Sequence, residues 1–455
     1  MSRKIDLLVI GGGPAGYSSA IRASQLGKKV VLAEKGSLGG TCLNRGCIPT
    51  KALLESAAFY RNLDSAAEHG VSLKLGGFDY HQVAAKKDKI VKRLVNGLGF
   101  LLKQRKIEII SGEAVFDSAR QVRVGQDVFE PEKIVVSTGT ASVELPGLKP
   151  DGKFVLDSDQ MLAATELPRS LLIVGGGVIG CEFATIFSSF GVEVTIVELM
   201  DRLLPPEDQE ISRALLREFK KRKIKVLTGS SVQSLERLGE EVRVEVSRGE
   251  KRQEITAERV LVSVGRNPVI PQGFPGELTA RGYIKVDDSL RTTVDHIYAA
   301  GDVIGGLQLA HLAFEEGLAA AGSAFEKTED QKQWFVPSCV YTQPEIGSVG
   351  LTEEEARQKY GEVTVGKYSL KGNGKAVIMD DDAGFFKIVA SPDGIIRGVH
   401  LIGPQATELI VQAAIILEKN LTLADWAQVI YPHPTVSEAV KETVWSSLGI
   451  GLHSI

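Results

Sequence analysis

Two of the chain's four cysteines, Cys42 and Cys47, stand five residues apart in a run that opens with Gly39, Gly40 and Thr41 and closes with Pro49, Thr50 and Lys51. Two sulfurs this close in sequence, beside a lysine, suit thiol–disulfide exchange. On a straight helix five residues climb about 7.5 Å, past the roughly 7 Å Cα separation that a disulfide can span. The pair therefore needs an irregular turn, which Asn44 and Gly46 permit, with a helix expected from about Ile48 through Ala52, Leu53 and Leu54. A thiolate near that helix start would be stabilised by the helix dipole and by Lys51. A structural disulfide is disfavoured in a chain without a secretion signal. A zinc site lacks its second Cys or His pair, so no metal is expected. Cys181 and Cys339 read as packing residues.

The elements that must position the pair begin immediately before it. Residues 7–10 (Leu-Leu-Val-Ile) read as a buried strand, Gly11, Gly13 and Gly16 as the turn into a helix that Gly27 ends, and residues 30–34 as a second strand closing on Glu34. Such a unit holds a pyrophosphate at the helix N-terminus and a ribose on the acid. The unit then recurs. Residues 171–174 precede Gly175, Gly177 and Gly180, Gly191 matches Gly27, and residues 194–197 lead to Glu198, so all five pairs differ by the same 164 positions. One constant offset means two dinucleotide-binding folds in one chain. Glu198 accepts from two free ribose hydroxyls and repels a 2'-phosphate, which favours NAD over NADP, with Arg202 the one basic residue nearby.

Each fold closes alike, on apolar strands at residues 133–140 and 260–268. A further strand delivers Gly301-Asp302 to a turn before a helix of about residues 307–324, whose N-terminal dipole would face whatever Asp302 holds. From about Trp334 the pattern becomes α+β: a strand over 336–341, a helix starting at 352–356, a hairpin pairing 384–389 with 396–401, and helices at about 408–418 and from Thr435. The expected division is residues 1–147, 148–275, 276–333 and 334–455, an α/β chain with two Rossmann-like folds and a C-terminal domain that assembles subunits or closes a site. A net charge of -4 makes no electrostatic case for nucleic acid or an anionic membrane. Lys86, Lys87, Lys89, Lys92 and Arg93 read as a solvated helix face. No apolar run approaches membrane-spanning length, and the N-terminus leads straight into a strand, so a soluble cytoplasmic protein is expected.

Residues 39–51, 293–302, 309–311, 341–345 and 433–438 together make the chain resemble the flavin-dependent (pyridine nucleotide) disulfide oxidoreductases, class I, and within them the dihydrolipoyl dehydrogenase branch, over residues 5–449. The resemblance implies FAD on the first fold, at Gly11, Gly13, Pro14, Ala15, Gly16, Glu34, Gly40, Thr41, Lys51, Ala114, Thr138, Gly139, Asp302, Leu309, Ala310 and His311. It implies NAD on the second, at Gly175, Gly177, Val178, Ile179, Gly180, Glu198, Val232, Gly265 and Arg266. Cys42 would be the outer thiol that meets substrate and Cys47 the inner one, with Lys51 paired to Glu182. His433, held by Glu438, would serve as acid and base in the other subunit's site of an obligate homodimer. A histidine just before a helix, oriented by a carboxylate five residues on, can take a thiol proton near neutral pH; Glu438 also fits a capping box over residues 435–438. The implied partner is the lipoyl domain of a 2-oxo acid dehydrogenase or glycine cleavage complex. The alternatives are an NAD(P)H-dependent reductase of a small disulfide and a flavoprotein that senses or docks without turnover. Residues 449–455 hold no second cysteine pair, unlike the mercuric and larger thioredoxin reductases. The chain departs from the branch's pattern at Arg45, Tyr431 and Pro432, all placed where substrate approaches.

Overall fold

In the computed structural model, residues 2–74, 76–326 and 334–453 are described; the boundary expected at 333 falls outside them. Arg3–Ile10 lies in the middle of a seven-stranded sheet, parallel to Val30–Glu34 on one side and Asp127–Val136 on the other. Glu108–Ser111 extends one edge, Gln121–Val124 and Ala114–Ser118 the other, and the late strand Ile297–Ala299 also pairs with Asp127–Val136. Leu7 and Val9 pack among the alanines of helices Pro14–Gln25 and Ala310–Phe325, while Leu8 and Ile10 pack on Phe116, Val122 and Ile284. Burial on both faces is why the second half of this strand, residues 7–10, reads as an unbroken apolar run.

Register does the positioning. Ile10 is level with Ala33 and Val136, and Val136 with Ala299. The chain therefore leaves the sheet at one level at Gly11, Ser137 and Ala300, with Glu34, the last residue of its strand, beside Gly11. The second sheet repeats this, with Val174 of Ser170–Val174 level with Val197 and Val262. The repetition extends to single contacts. A Cβ on Gly11 (φ +102°) would meet the Ser137 carbonyl oxygen at 2.4 Å, and one on Gly175 (φ +109°) the Ser263 oxygen at 2.4 Å. Ser137 Oγ donates to the carbonyls of Ile10 and Gly11, and Ser263 Oγ to those of Val174 and Gly175. A three-stranded antiparallel meander, residues 231–257, is added to the second unit.

The C-terminal region is a five-stranded antiparallel sheet in the order Ser338–Val340, Ile346–Gly350, Ile396–Ile402, Phe385–Ala390, Thr364–Ser369, backed by Ala406–Glu418 and Glu438–Ser447. Lys387 joins it to the second unit. Its buried ammonium lies 3.0 Å from Asp208, 2.9 Å from Glu210 and 2.7 Å from Glu353. Those hydrogen bonds hold the lysine's pKa up against the opposing effect of burial.

Three local expectations change. The irregular turn between the cysteines is a break between two helices, Gly40–Arg45 and Cys47–Asn62, at Gly46 alone; Asn44 is helical, its amide donating to the carbonyls of Leu38 and Gly40 at 2.9 Å. The basic face of Tyr80–Gln104 is not wholly solvated, because Lys87 is buried and donates to the Leu162 carbonyl. The last helix starts at Glu438, not Thr435: Glu438 accepts from the Thr435 N–H at 2.8 Å, but Thr435 Oγ1 turns back to the Pro432 carbonyl, so only half of the capping box forms.

Candidate active site

The two sheet edges face one continuous cavity of about 1970 Å³. Its wall includes Gly11, Gly13, Glu34, Cys42, Cys47, Lys51 and Asp302 from the first half, and Gly175, Gly177, Glu182, Glu198 and Gly265 from the second. All other cofactor residues expected above also line it except Gly16, Gly180 and His311. Gly16 and Gly180 serve packing instead: a Cβ would stand 1.8 Å and 1.9 Å from the carbonyl oxygens of Gly11 and Gly175, so each glycine lets its helix close on its strand. His311 sits at the start of its helix but its Nε2 is bonded to the Pro337 carbonyl at 2.8 Å, off the cavity.

The break at Gly46 makes Cys47 the first residue of a 16-residue helix, with Lys51 one turn on. The Cys42 thiol donates to Cys47, and that hydrogen bond, with the Lys51 charge and a backbone N–H, brings the Cys47 thiol down to about 7 against the effect of burial. Cys42 is correspondingly pushed up, by donating that bond and by its own burial. In the reduced pair the proton stays on Cys42 and the negative charge on Cys47. Lys51 Nζ is held by both oxygens of buried Glu182, at 3.0 and 2.9 Å, and lies 4.4 Å from the centre of the Tyr341 ring. The Tyr341 N–H in turn donates to Glu182 at 3.0 Å. Tyr341 stands in a stretch singled out in the sequence, but a lysine-to-ring contact across 290 residues leaves no mark there.

At the first fold's edge Glu34 accepts from the N–H groups of Gly12 and Gly36 at 2.6 Å. Asp302 accepts from Thr140 at 3.0 Å. The Gly301 N–H donates to Glu316 at 2.7 Å, a buried carboxyl that desolvation raises to about 7. At the second edge Glu198 accepts from Gly176 and Met200. Arg202 is engaged elsewhere, 3.3 Å from Glu354 and 3.2 Å from the Pro205 carbonyl. Arg266 is bonded to Thr140, joining the two folds. The cradles fit two dinucleotides: a Cβ on Gly13 would meet only Gly40 Cα at 3.8 Å and one on Gly177 nothing within 4 Å, so at both helix N-termini the backbone lies open to the cavity.

His433 and Glu438 lie off this cavity. His433 Nδ1 is 2.9 Å from Glu438 Oε1, and its side chain is 80% exposed. Burial works against the Glu438 charge, but the Thr435 N–H and His433 hold its pKa below the usual range.

Twin dinucleotide cradles converging on a cysteine pair define a pyridine nucleotide-linked disulfide oxidoreductase. Residues 5–317 match the pyridine nucleotide-disulphide oxidoreductase family and residues 336–444 its dimerisation domain, and the chain belongs to that family. It is similar to a dihydrolipoyl dehydrogenase of Bacillus subtilis (41% identical, covering 99% of this chain and 100% of that one) and to one of Zymomonas mobilis (38%, 100% of both). Among solved structures it resembles LpdA of Mycobacterium tuberculosis (TM-score 0.89, 26% identical, 97% of this chain and 99% of that one). It also resembles the HOCl-induced flavoprotein disulfide reductase RclA of Escherichia coli (0.87, 27%, 97% and 99%). The chain is thus a flavoprotein oxidoreductase working with FAD and NAD. Among the described residues no helix is long and apolar enough to cross a membrane.

Proposed function

We propose that this enzyme reoxidises dihydrolipoyl groups carried on a partner protein, with NAD as acceptor, in the cytoplasm. The observation that carries the reading is the Cys42–Cys47 pair at a helix start, beside the Lys51–Glu182 pair, inside the cavity that both cradles share. In the oxidised enzyme a dihydrolipoyl thiolate attacks Cys42 Sγ. The Cys42–Cys47 bond breaks and Cys47 leaves as a thiolate, for which a thiol pKa near 7 suits it. The second lipoyl thiol then attacks the mixed disulfide, releasing the lipoyl disulfide and a reduced Cys42. The first substrate thiol gives its proton to His433 of a second copy of the chain, oriented by Glu438 through Nδ1, and the proton of the second thiol ends on Cys42 as that sulfur leaves. That assignment makes the enzyme a homodimer with shared sites, and suits an imidazole that is exposed and off its own chain's cavity.

FAD, when bound, supplies the two-electron relay from the dithiol to the nicotinamide. Residues 11–15, Glu34, Thr138, Gly139, Asp302 and the start of Ala310–Phe325 would hold it, with Lys51, fixed by Glu182, lowering the Cys47 thiol pKa beside it. Residues 175–179, Glu198 and Val232 hold NAD; with Arg202 bonded elsewhere, no free cation among the residues named here offsets Glu198 for a 2'-phosphate. The lipoyl domain of a 2-oxo acid dehydrogenase or glycine cleavage complex is the carrier. A second reading, reduction of a small disulfide, draws on the likeness to RclA.

Cys47→Ser tests the exchange step. It is expected to keep the yellow cofactor bound while lowering dihydrolipoamide turnover by at least ~10³-fold. Turnover within tenfold of the parent enzyme would refute the assignment.

A further inference from the structure

The residues just before His433 form an irregular segment with few ties of its own. Residues 429–437 belong to no helix or strand, and among the described residues none of the N–H groups of residues 430, 431 and 433 donates to a backbone carbonyl. Ile430, Pro432, His433 and Pro434 are all exposed. Beyond the histidine, the Thr435 carbonyl accepts from Asn373 at 3.1 Å and the Thr435 N–H donates to Glu438. Before it, the one side chain turned inward is Tyr431. Its ring packs against the cluster that contains buried Trp426, its hydroxyl accepts from Trp426 Nε1 at 2.9 Å, and it donates to Gln412 Oε1 at 3.3 Å. Trp426 belongs to Leu423–Ala427 and Gln412 to Ala406–Glu418, so one hydroxyl fastens the segment to two helices.

We propose that Tyr431 is a positioning residue for His433: its hydroxyl, bridging Trp426 and Gln412, holds the segment that presents the imidazole to the other subunit's cysteines. The proposal rests on the reading of His433 as the acid and base given above. Proton transfer needs the imidazole within hydrogen-bond reach of the thiol, and a misplacement of about 1 Å costs rates on the order of 10²-fold. Between two prolines, His433 has little freedom to correct a drifting anchor two residues away.

The holoenzyme carrying Tyr431→Phe keeps the ring and loses both hydrogen bonds. It is expected to lower kcat for dihydrolipoamide about 3- to 10-fold, with KM unchanged, and to raise amide hydrogen exchange at Val429 and Thr435, the segment's amides bonded to Trp426 and Glu438. NADH oxidation by ferricyanide, which bypasses the cysteines, is expected to stay at the parent rate. Gln412→Leu is expected to reproduce the defect, and Gln412→Glu, which keeps the acceptor, to spare it. Parent values of kcat and exchange in Tyr431→Phe would overturn the proposal, and so would an equal loss of the ferricyanide activity, which marks a general structural effect. If the parent enzyme itself did not oxidise dihydrolipoamide, the substrate reading would fall, and the exchange rates alone would then decide whether Tyr431 anchors the segment.

Discussion

The charge in the redox pair belongs to Cys47, the sulfur at the helix start, and not to Cys42, the one assigned to meet substrate. The cause is local: a hydrogen bond from Cys42, a lysine one turn on and a helix N-terminus act together on one atom. A lowered thiol pKa means that the thiolate is present above about pH 7 and is lost as pH falls through that value. In the reduced enzyme, alkylation of Cys47 by iodoacetamide is therefore expected to be half-maximal near pH 7, and Lys51→Met to move that midpoint upward. A midpoint near 9 in the parent enzyme would contradict the assignment. The spacing of the cysteines and the presence of Lys51 were plain in the sequence. Which sulfur is acidic was not, because it depends on a helix break at one glycine and on Glu182, 131 residues away, holding the lysine.

Twin strand–turn–helix units were legible because burial on both faces writes an unbroken apolar run and the glycines recur at a fixed offset. The serines that bond back to both first strands, Ser137 and Ser263, lay in runs already read as strands, yet nothing in their type marks the role. Lys387 was hidden too: in a hairpin strand a lysine reads as the outward residue, whereas here it is enclosed by carboxylates from Asp208 and Glu210 at the start of one helix and Glu353 at the start of another. Removing one member of a buried ionic cluster strands the others, at a cost of about 3–5 kcal/mol. Lys387→Met is thus expected to lower the thermal unfolding midpoint by several degrees, while cofactor content and kcat at 25 °C stay near the parent values. An unchanged midpoint would show that the cluster does not hold the C-terminal sheet to the NAD-side unit. The start of the last helix was misplaced by three residues for a related reason: Glu438 fits a capping box and a histidine partner equally well on paper, and in the fold the histidine takes one of its oxygens.

Taken whole, the molecule brings two sheet edges, the cysteines and Asp302 to one cavity but leaves His433 outside it, which is what a site shared between two copies requires. Mixing chains that carry Cys42→Ser with chains that carry His433→Ala tests this. Each parent dimer is expected to be inactive, and random re-association to restore about a quarter of the unmodified activity, since half the dimers are mixed and each has one intact site of two. No recovery in mixtures shown to exchange subunits would place the histidine in its own chain's site. The cavity's contents were foreseen from sequence because each cradle is local, and His433 was expected to serve the other copy's site; the placement of His311 off the cavity was not foreseen, because it depends on how a distant segment packs. The most direct measurement is the initial rate of NADH formation from dihydrolipoamide, run beside NADP and with reduced glutathione in place of dihydrolipoamide. Rapid turnover with NAD and dihydrolipoamide alone is the predicted result; a preference for NADP, or for glutathione over the lipoyl thiol, would contradict it.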